Sequence, residues 1–390
     1  MYTLKENGGI PLSLLWMLAI IAGISVANLY YNQPLLNLIS ADLGATDFQA
    51  NLIATISQAG YACGLLFIIP LGDMLSRKHI VMVSFAVLVA VLLIIATAQS
   101  IQVVWAASAV LGLCSVMPQI FIPIASQFSA PEYKSRNVGI VLSGLLTGIL
   151  ASRVVSGIVG EVWGWRAIYY IGSVLMLLAF FIIARLLPPV ASNYRGSYAG
   201  LMASVWKLYR KYPAMRVSSL RAGLAFGSFL CMWSSLAFKM SEAPFHAGND
   251  IVGLLGLCGI AGALTASGIG KYIRRVGVRR FNYIGVTLHL LAWALLFLGA
   301  NHYLPIVVGI VVIDIGMQCI QLSNQSLCLG LDPHASNRSN TIFMTTYFVG
   351  GTTGTFLSGL GWGAAGWTGV VAVGISLTLL SGIVTLVQKN

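Results

Sequence analysis

The chemically most informative residues of this sequence are one acid and three amides inside a long apolar segment. Asp314 lies about ten residues into the stretch 303–330, roughly 15 Å deep at a helical rise of ~1.5 Å per residue, which is near the middle of a ~30 Å hydrocarbon core. Gln318, Gln321 and Gln325 follow on the same helical face. A carboxylate at this depth has to face protein or a water-filled cavity. Two interpretations remain open: a buried carboxyl that pins neighbouring helices, or a group that handles substrate or protons.

The composition is typical of a polytopic membrane protein. Of 390 residues, 58% are hydrophobic and 8% are charged, with a mean hydropathy of +0.87. The six cysteines all fall in apolar segments without paired spacing, which predicts neither disulfides nor a zinc site. No His/Glu metal cluster, nucleophile elbow or phosphate-binding loop is visible in the sequence. We therefore expect a protein that is not an enzyme and uses no cofactor or bound metal.

Hydropathy and helix-breaking residues predict an all-α integral membrane fold with twelve spans. The spans are 12–39, 50–72, 80–98, 102–127, 137–160, 167–187, 217–241, 251–272, 281–299, 303–330, 340–362 and 367–387. The stretch 188–216 is too polar to span, and within it 198–209 is a candidate interfacial helix anchored by Trp206. This pattern predicts a six-helix bundle at 1–187, a cytoplasmic linker at 188–216 and a second six-helix bundle at 217–390.

The distribution of basic residues predicts the orientation in the membrane. If the N-terminus is cytoplasmic, the outer turns hold only Arg166 and, at a span end, Lys239. The inner turns and linker hold Arg77, Lys78, Lys134, Arg136, Arg195, Lys207, Arg210, Lys211, Arg216, Lys271, Arg274, Arg275, Arg279, Arg280 and Arg338. By the positive-inside rule, both termini are then cytoplasmic. The net charge of +12 is thereby explained by topology, and nucleic-acid binding is not expected.

An internal repeat relates the two predicted halves. Residues 135–167 align with 337–369, so that Arg136 corresponds to Arg338 and the pair Gly164-Trp165 corresponds to Gly366-Trp367. Each half contains an even number of spans, and the two copies therefore share one orientation. This is the parallel type of repeat, with a pseudo-two-fold axis along the membrane normal and a central site at the interface of the halves.

The turn after the second span, PLGDMLSRKH, resembles the signature of the major facilitator superfamily in Asp73, Arg77 and Lys78, although Ile69, Met74 and Ser76 depart from it. The strings NLYYNQPLL (28–36), QAGYACGLLFIIPLGD (58–73), SGLLTGILASRVVSG (143–157), DIGMQ (314–318) and SNQS (323–326) resemble a bacterial drug-efflux-like branch of that superfamily. The resemblance covers essentially the whole chain. It implies a monomeric transporter of the bacterial inner membrane.

Several side chains are candidates for the walls of a central cavity. The predicted substrate-binding residues are Asn28, Tyr31, Asn32, Gln58, Tyr61, Gln119, Arg153, Trp233, Lys239, Gln318, Gln321 and Gln325. The amides have an alternative role as hydrogen-bonding contacts between helices. Arg153 has an alternative in snorkelling to the outer interface, and Lys239 has one as a charge at the rim. Gly144 and Gly148, with Gly350 and Gly354, predict close helix approach.

A second group of charges is expected to act as a conformational latch. Asp73, with Arg77 and Lys78, is placed to bind the start of the eleventh span near Asn340 and Thr341, where the helix N-terminus carries partial positive charge. Such a latch would hold the two halves together on the inner side.

Together these features predict a secondary active transporter that moves a small organic solute by alternating access. Asp314 is the expected proton-coupling group, and proton-coupled efflux of small amphipathic or cationic compounds is the preferred function. A facilitator or proton symporter that imports a polar or anionic solute is the alternative, favoured by Arg153 and Lys239. A membrane sensor or scaffold on the same fold is a further possibility from a different class. The expected partners are a small-molecule substrate, protons and membrane lipid.

Overall fold

The computed structural model describes residues 4–189, 196–332 and 335–387 of the chain. Within these ranges every regular element is helical, as the sequence predicts. Arg195 lies outside the described residues, as do the side chains of Lys271 and Arg274, so the structure does not bear on these three of the predicted cytoplasmic charges.

The first half of the chain forms six spans, two of which are interrupted. The helices are α1 (Leu12–Tyr30), α2 (Leu36–Asp42), α3 (Asp47–Phe67), α4 (Arg77–Thr97), α5 (Ile101–Cys114), α6 (Pro118–Phe128), α7 (Lys134–Trp163) and α8 (Trp165–Leu186). A short 3₁₀ turn that contains Pro34 separates α1 from α2, and Pro118 begins α6 just after α5 ends. Proline lacks the backbone N–H that a continuous helix needs, so the breaks fall where the sequence predicts bends.

The second half repeats this architecture after the linker helix. Its helices are α9 (Tyr198–Lys211), α10 (Pro213–Ser241), α11 (Asn249–Leu255), α12 (Gly259–Val276), α13 (Val278–Leu298), α14 (Tyr303–Gly330) and α15 (Ser336–Val387). A 3₁₀ turn, Gly256–Cys258, joins α11 to α12 within one span. The long helix α15 holds the last two spans, with a break at Ala365 and Gly366. Among the described residues, eleven helical segments are long and apolar enough to cross a membrane, and the last of them contains two of the twelve predicted spans.

The sequence repeat reappears in the backbone. Gly164 ends α7 with φ of 80°, and its counterpart Gly366 divides α15 with φ of 56°. Both angles lie in the left-handed region that glycine adopts without a steric penalty. The tryptophan that follows each glycine, Trp165 or Trp367, is buried. The two halves thus turn in the same way between their fifth and sixth spans.

Glycines allow the closest helix contacts, as the sequence predicts. Gly148 of α7 faces Gly23 of α1, and a Cβ on either would overlap the backbone of the other helix. In the second half, Gly354 of α15 faces Gly227 of α10 in the same way. Small residues at such positions let helix backbones approach closely, which stabilises packing in a membrane through dispersion contacts.

Each half packs mainly within itself, and the halves meet along two helix pairs. In the first half α1 packs on α7, α3 on α5 and α4 on α8; in the second, α10 packs on α15, and α12 and α13 pack on α14. The most extensive contacts between the halves are α3 with α15 and α7 with α11. These two pairs are equivalent under the repeat, as a pseudo-two-fold axis between the halves requires.

The linker contains the helix predicted there. Leu201, Val205 and Leu208 of α9 are buried, whereas Trp206 is 58% exposed. The guanidinium carbon of Arg210 lies 6.0 Å from the centroid of the Trp206 ring. The helix is thus amphipathic, and its location at a membrane surface stays a prediction.

Candidate functional site

A cavity with about 140 Å³ of space accessible to water lies between the two halves. Four helices of the first half (α1, α3, α6 and α7) and four of the second (α10, α12, α14 and α15) line it. The lining residues are Val26, Tyr30, Tyr61, Gln119, Leu145, Leu146, Ile149, Leu150, Arg153, Phe226, Phe229, Gly259, Ala263, Asp314, Met317, Gln318, Gln321, Met344, Tyr347 and Phe348. Asp314, Arg153, Tyr61, Gln119, Gln318 and Gln321 are the predicted residues that this cavity brings together.

Asp314 lies in the middle of α14 and is only 7% exposed. Glycines make room for it: a Cβ on Gly262 would stand 3.1 Å from the Asp314 Cβ, and a Cβ on Gly259 would stand 3.7 Å from Oδ1. The Oδ2 atom is buried and has no hydrogen-bond partner among the described residues. A buried acceptor without a partner costs free energy, on the order of 1–3 kcal/mol for a neutral group and more for a charged one. Asp314 is therefore poised to bind a proton or a ligand.

Arg153 of α7 also faces the cavity and is 3% exposed. Its Nε donates a hydrogen bond of 2.8 Å to Gln33 Oε1. The guanidinium carbon lies 3.9 Å from the ring centroid of Trp233 and 5.4 Å from that of Tyr30. Its two Nη atoms make no hydrogen bond to the described residues. The alternative of snorkelling to the outer interface is thus excluded for this conformation.

Arg153 and Asp314 carry opposite charges in the same cavity without forming an ion pair. No nitrogen of Arg153 lies within 4.0 Å of an Asp314 oxygen; the ion pairs among the described residues lie elsewhere, at Asp73–Arg77 and Asp42–Arg166. The two charges are nevertheless close enough to influence each other electrostatically. The site is therefore polarised, with a cation on the α7 side and an acid on the α14 side.

Aromatic rings form much of the remaining wall. The Tyr347 ring stacks on Phe226 at a centroid distance of 3.9 Å, and its hydroxyl donates a hydrogen bond of 3.0 Å to Gln321 Oε1. Tyr61 of the first half meets Phe348 of the second at 4.4 Å. The cavity can accordingly hold a planar or apolar body between polar ends.

Sequence reasoning missed the aromatic residues Tyr30, Phe226, Phe229, Tyr347 and Phe348. Within a membrane span an aromatic residue facing a cavity looks the same as one facing lipid. The repeat carries a signal for two of these residues, because Leu145 and Leu146 correspond to Tyr347 and Phe348. All four residues line the cavity, as do the corresponding pair Gln119 and Gln321.

Three predicted residues are buried outside the cavity wall, and two of them contact residues that line it. Trp233 is 2% exposed and lies against the guanidinium of Arg153, and buried Gln58 interacts with Tyr30. Asn32 is also buried, at the N-terminus of the 3₁₀ turn that carries Gln33. None of the three is part of the cavity wall.

Four further predicted residues lie away from the cavity. Tyr31 packs toward Gly172 of α8, and the amide of Asn28 bonds its own helix at Ile24 O and Ser25 O. Lys239 Nζ donates to Asn301 Oδ1 at 3.5 Å, and Gln325 Nε2 donates to Asn340 Oδ1 at 2.9 Å. For Asn28 this geometry agrees with a packing role, and for Lys239 it agrees with a charge near the end of α10.

Two of the three residues of the predicted latch, Asp73 and Arg77, face the start of α15. Asp73 and Arg77 are 4.0 Å apart and line a cavity of about 40 Å³ whose opposite wall is the start of α15, including Arg338 and Asn340. The third residue, Lys78, points into its own half, and the latch itself stays a prediction. Lys78 Nζ donates at 2.7 Å to the carbonyl of Ala184 in the same half, because its position on α4 turns it toward α8.

Direct hydrogen bonds between the halves lie on the membrane face opposite this latch. Glu161 Oε2 of α7 accepts hydrogen bonds from the backbone N and the Nδ2 of Asn249 at 2.9 and 3.0 Å, at the start of α11. Trp362 Nε1 of α15 donates to Asp47 Oδ2 of α3 at 3.0 Å. Because Trp165 and Arg166 follow Glu161 closely in the chain, this is the face the sequence predicts to be outer. The contacts close the cavity on that face.

The residues described in the structure contain no group of three potential metal ligands. The site is thus built from one acid, one guanidinium, amides and aromatic rings. Twelve spans in two pseudo-symmetric halves, with a polarised cavity between them, define a membrane transporter of small molecules.

The chain belongs to the Major Facilitator Superfamily, whose family model matches residues 15–355. It is 34% identical over 377 residues to the uncharacterized transporter YgaY of Escherichia coli O157:H7, covering 97% of this chain and 96% of that protein. It is 30% identical over 374 residues to the probable transporter SCO4007 of Streptomyces coelicolor, covering 95% and 86%.

A crystal structure of a point mutant of the nucleoside transporter NupG has the same fold. The TM-score is 0.76 at 15% sequence identity, with 95% of this chain and 98% of that chain covered. At this identity the likeness concerns the fold alone.

Proposed function

We propose that this protein is a secondary active transporter that exports a small organic solute in exchange for protons, by alternating access. The observation that carries the proposal is the buried Asp314 carboxyl, which lines the cavity between the halves and whose Oδ2 has no partner in the part of the chain that the structure describes. A carboxyl in this position can bind a proton in one conformation and release it in another as its exposure changes. No ATP-binding motif is visible in the sequence, which supports a proton gradient as the driving force.

In this proposal, the conformational cycle depends on contacts between the halves near the two faces of the membrane. In the conformation described here, Glu161–Asn249 and Asp47–Trp362 join the halves on the face predicted to be outer. Opening that face requires these hydrogen bonds to break. On the other face, Asp73 and Arg77 would then close on the start of α15 across the gap of about 40 Å³. The equivalent pairs α3–α15 and α7–α11 act as the pivots of this motion.

The substrate would bind the cavity residues of both halves. Tyr61, Gln119, Arg153, Gln318 and Gln321 contact it directly in this proposal, together with the aromatic wall. Residues 188–216 link the rocking units 1–187 and 217–390. The excess of basic residues in the loops on the side of the termini supports cytoplasmic ends. The similarity to transporters of bacteria supports a location in the bacterial inner membrane. The protein would act as a monomer, since each chain contains both walls of its cavity.

Proton flux in proteoliposomes tests the proposal. A panel of cationic, neutral and anionic solutes is added to wild-type protein, to Asp314→Asn and to Asp42→Asn, whose acid pairs with Arg166 inside one half. We expect one class of solute to drive proton movement in the wild type and in Asp42→Asn. Asp314→Asn should move no protons in response to that solute. Transport that is independent of pH and survives Asp314→Asn would exclude the proton-coupling role.

Arg153 favours a second candidate, a facilitator or proton symporter that imports a polar or anionic solute. A buried guanidinium whose two Nη groups make no hydrogen bond to the described residues is well suited to bind an anionic group. The two candidates differ in the direction of proton movement relative to solute movement. The importer takes up solute together with protons or without them, whereas the exporter moves solute and protons in opposite directions. Counting protons against labelled solute in the same vesicles separates the two.

A further inference from the structure

The positions of the two cavity charges are set by one row of glycines. The Arg153 stem packs against Gly256, where a Cβ would stand 3.0 Å from the Arg153 Cβ, and Asp314 packs against Gly259 and Gly262. Gly256 and Gly259 are three residues apart, about 6 Å along a helix of ~2.0 Å rise per residue. The span formed by α11, the 3₁₀ turn and α12 thus holds the cation and the acid side by side, one helical turn apart, without an ion pair between them.

Each of the two charges is surrounded by neutral groups. Arg153 donates a hydrogen bond to the Gln33 amide oxygen and is covered by the Trp233 ring, and Asp314 Oδ2 has no hydrogen-bond partner within the described ranges. The titratable groups that act electrostatically on Asp314 or Arg153 from other helices are Tyr30, Cys258 and Tyr347, which are uncharged at neutral pH. Buried charges without a counter-ion are unfavourable, and a ligand that brings both opposite charges would satisfy both.

The size and walls of the cavity limit what else the ligand contains. Its volume of about 140 Å³ is below the ~300–1,000 Å³ that is usual for drug-sized ligands. The wall beyond the charges consists of Phe226, Phe229, Tyr347 and Phe348, with Gln318 and Gln321 as uncharged polar groups. This combination suits a small molecule with an aromatic or planar apolar body and two charged groups a few bonds apart.

We propose that the substrate is a small zwitterion with an aromatic body, whose anionic group binds Arg153 and whose cationic group binds Asp314. The inference rests on the proposed transport function and specifies its substrate class. It also explains why substrate and proton would be exchanged, because the cationic group of the substrate and the proton compete for the Asp314 carboxyl. Substrate entry expels the proton from Asp314, and proton binding releases the substrate.

A matched series of probes tests the charge requirement. Phenylalanine, tyrosine, tryptophan and histidine are compared with their decarboxylated amines and their deaminated acids, which keep the ring and lose one charge. Binding to the purified protein is measured by isothermal titration calorimetry at one pH and salt concentration. We expect at least one zwitterion to bind at least tenfold more tightly than both its amine and its acid. If every zwitterion binds no more tightly than its singly charged analogues, or if none binds, the zwitterion proposal is wrong.

Two variants assign the charges to the two ends of the ligand. In Asp314→Asn the preference for the zwitterion over the acid should disappear, and in Arg153→Gln the preference over the amine should disappear. Arg166→Gln and Asp42→Asn, which alter an ion pair outside the cavity, should keep both preferences. Retention of both preferences in Asp314→Asn and Arg153→Gln would overturn the assignment. The wild-type series decides the substrate class even if a variant fails to fold.

Proton release in proteoliposomes distinguishes failure of this inference from failure of the proposed function. If amines release protons through Asp314 while zwitterions do not, proton-coupled transport stands and the zwitterion class is rejected. If a zwitterion binds with the expected preference and no proton moves in either direction, the substrate class stands and proton coupling is rejected.

Discussion

Among the residues that the structure describes, two arginines are buried within the spans, and their surroundings differ in kind. Arg221 of α10 is 2% exposed and Arg153 of α7 is 3% exposed, so burial does not separate them. Arg221 donates from Nε and Nη2 to Asn324 Oδ1 at 3.0 and 2.6 Å, and Nη2 also donates to Ser218 Oγ at 3.4 Å. Arg153 has one hydrogen bond, to Gln33, and otherwise faces rings and the cavity.

The difference indicates which buried polar groups serve stability and which serve transport. Both of these partners of Arg221 belong to its own half, and Asn324 continues the network by donating to Asn282 Oδ1 at 2.7 Å. Hydrogen bonds within one half move together with that half. Arg153 instead reaches the space between the halves, where its surroundings change whenever the halves rock. We infer that hydrogen bonds inside a half stabilise the bundle, and that side chains facing the other half carry the function.

The largest expected effect is the loss of folded protein on Arg221→Met. The substitution would leave Asn324 and Ser218 without their buried donor, at about 1–3 kcal/mol for each group left unsatisfied. Thermal unfolding in detergent, followed by fluorescence-detected size exclusion, should show a strongly lowered Tm and a reduced monodisperse yield. A variant as stable as the wild type would remove the distinction between the two arginines.

Arg153→Gln should produce the complementary result. Transport should fall by on the order of tenfold or more, because hydrogen bonds to a charged group contribute about 1.5–3 kcal/mol. The Tm should change far less than in Arg221→Met, since Gln33 is the single described protein group that loses a hydrogen-bond partner to this guanidinium. Solute flux and Tm are measured on the same preparation. A fall in Tm that matches the fall in transport would mean that Arg153 is structural as well.

The sequence was sufficient for the fold because each span is a long apolar run that ends at glycine, proline or charge. It also singled out Asp314, since an acid within such a run is conspicuous. The repeat located the interface of the halves and, through Gly164 and Gly366, the turns that match in the two bundles. These signals are all local, or depend on one constant offset.

The remainder of the site depends on how each helix is rotated about its own axis. Hydropathy does not determine this rotation when every face of a helix is apolar. The contact of Arg153 with Gln33 and Trp233 joins three separate spans, and Tyr31 was predicted in the cavity although its neighbour Tyr30 occupies that position. Adjacent helical residues point about 100° apart, so a shift of one residue moves a side chain from the cavity to the packing surface. Arg221 was missed because nothing in its span marks its partners on α14.

Gly262→Ala tests whether the position of Asp314 in the cavity matters for transport. Its Cβ would stand 3.1 Å from the Asp314 Cβ, a tight contact that α14 relieves only by moving the carboxyl. We expect a several-fold loss of solute-driven proton flux with a small change in Tm. Gly139→Ala serves as the control, because a Cβ there meets no atom within 4 Å. Equal flux in the two variants would show that the position of Asp314 tolerates this displacement.

The smallest effect is expected at the predicted latch, where we compare substitutions of two nearby charged residues, Asp73 and Lys78. Asp73 faces Arg338 and Asn340 of the other half, whereas Lys78 bonds Ala184 O within its own half. If contacts between halves control the cycle, Asp73→Asn should lower the transport rate by about twofold, the scale of a partly exposed ion pair. Lys78→Met should leave the rate unchanged and lower the Tm slightly. Rates at saturating solute, measured with the Tm of each variant, decide between the two. The hydrogen bond of Lys78 lies entirely within the first half. A larger loss of transport in Lys78→Met than in Asp73→Asn would therefore contradict the inference that contacts within a half serve stability and contacts between the halves serve function.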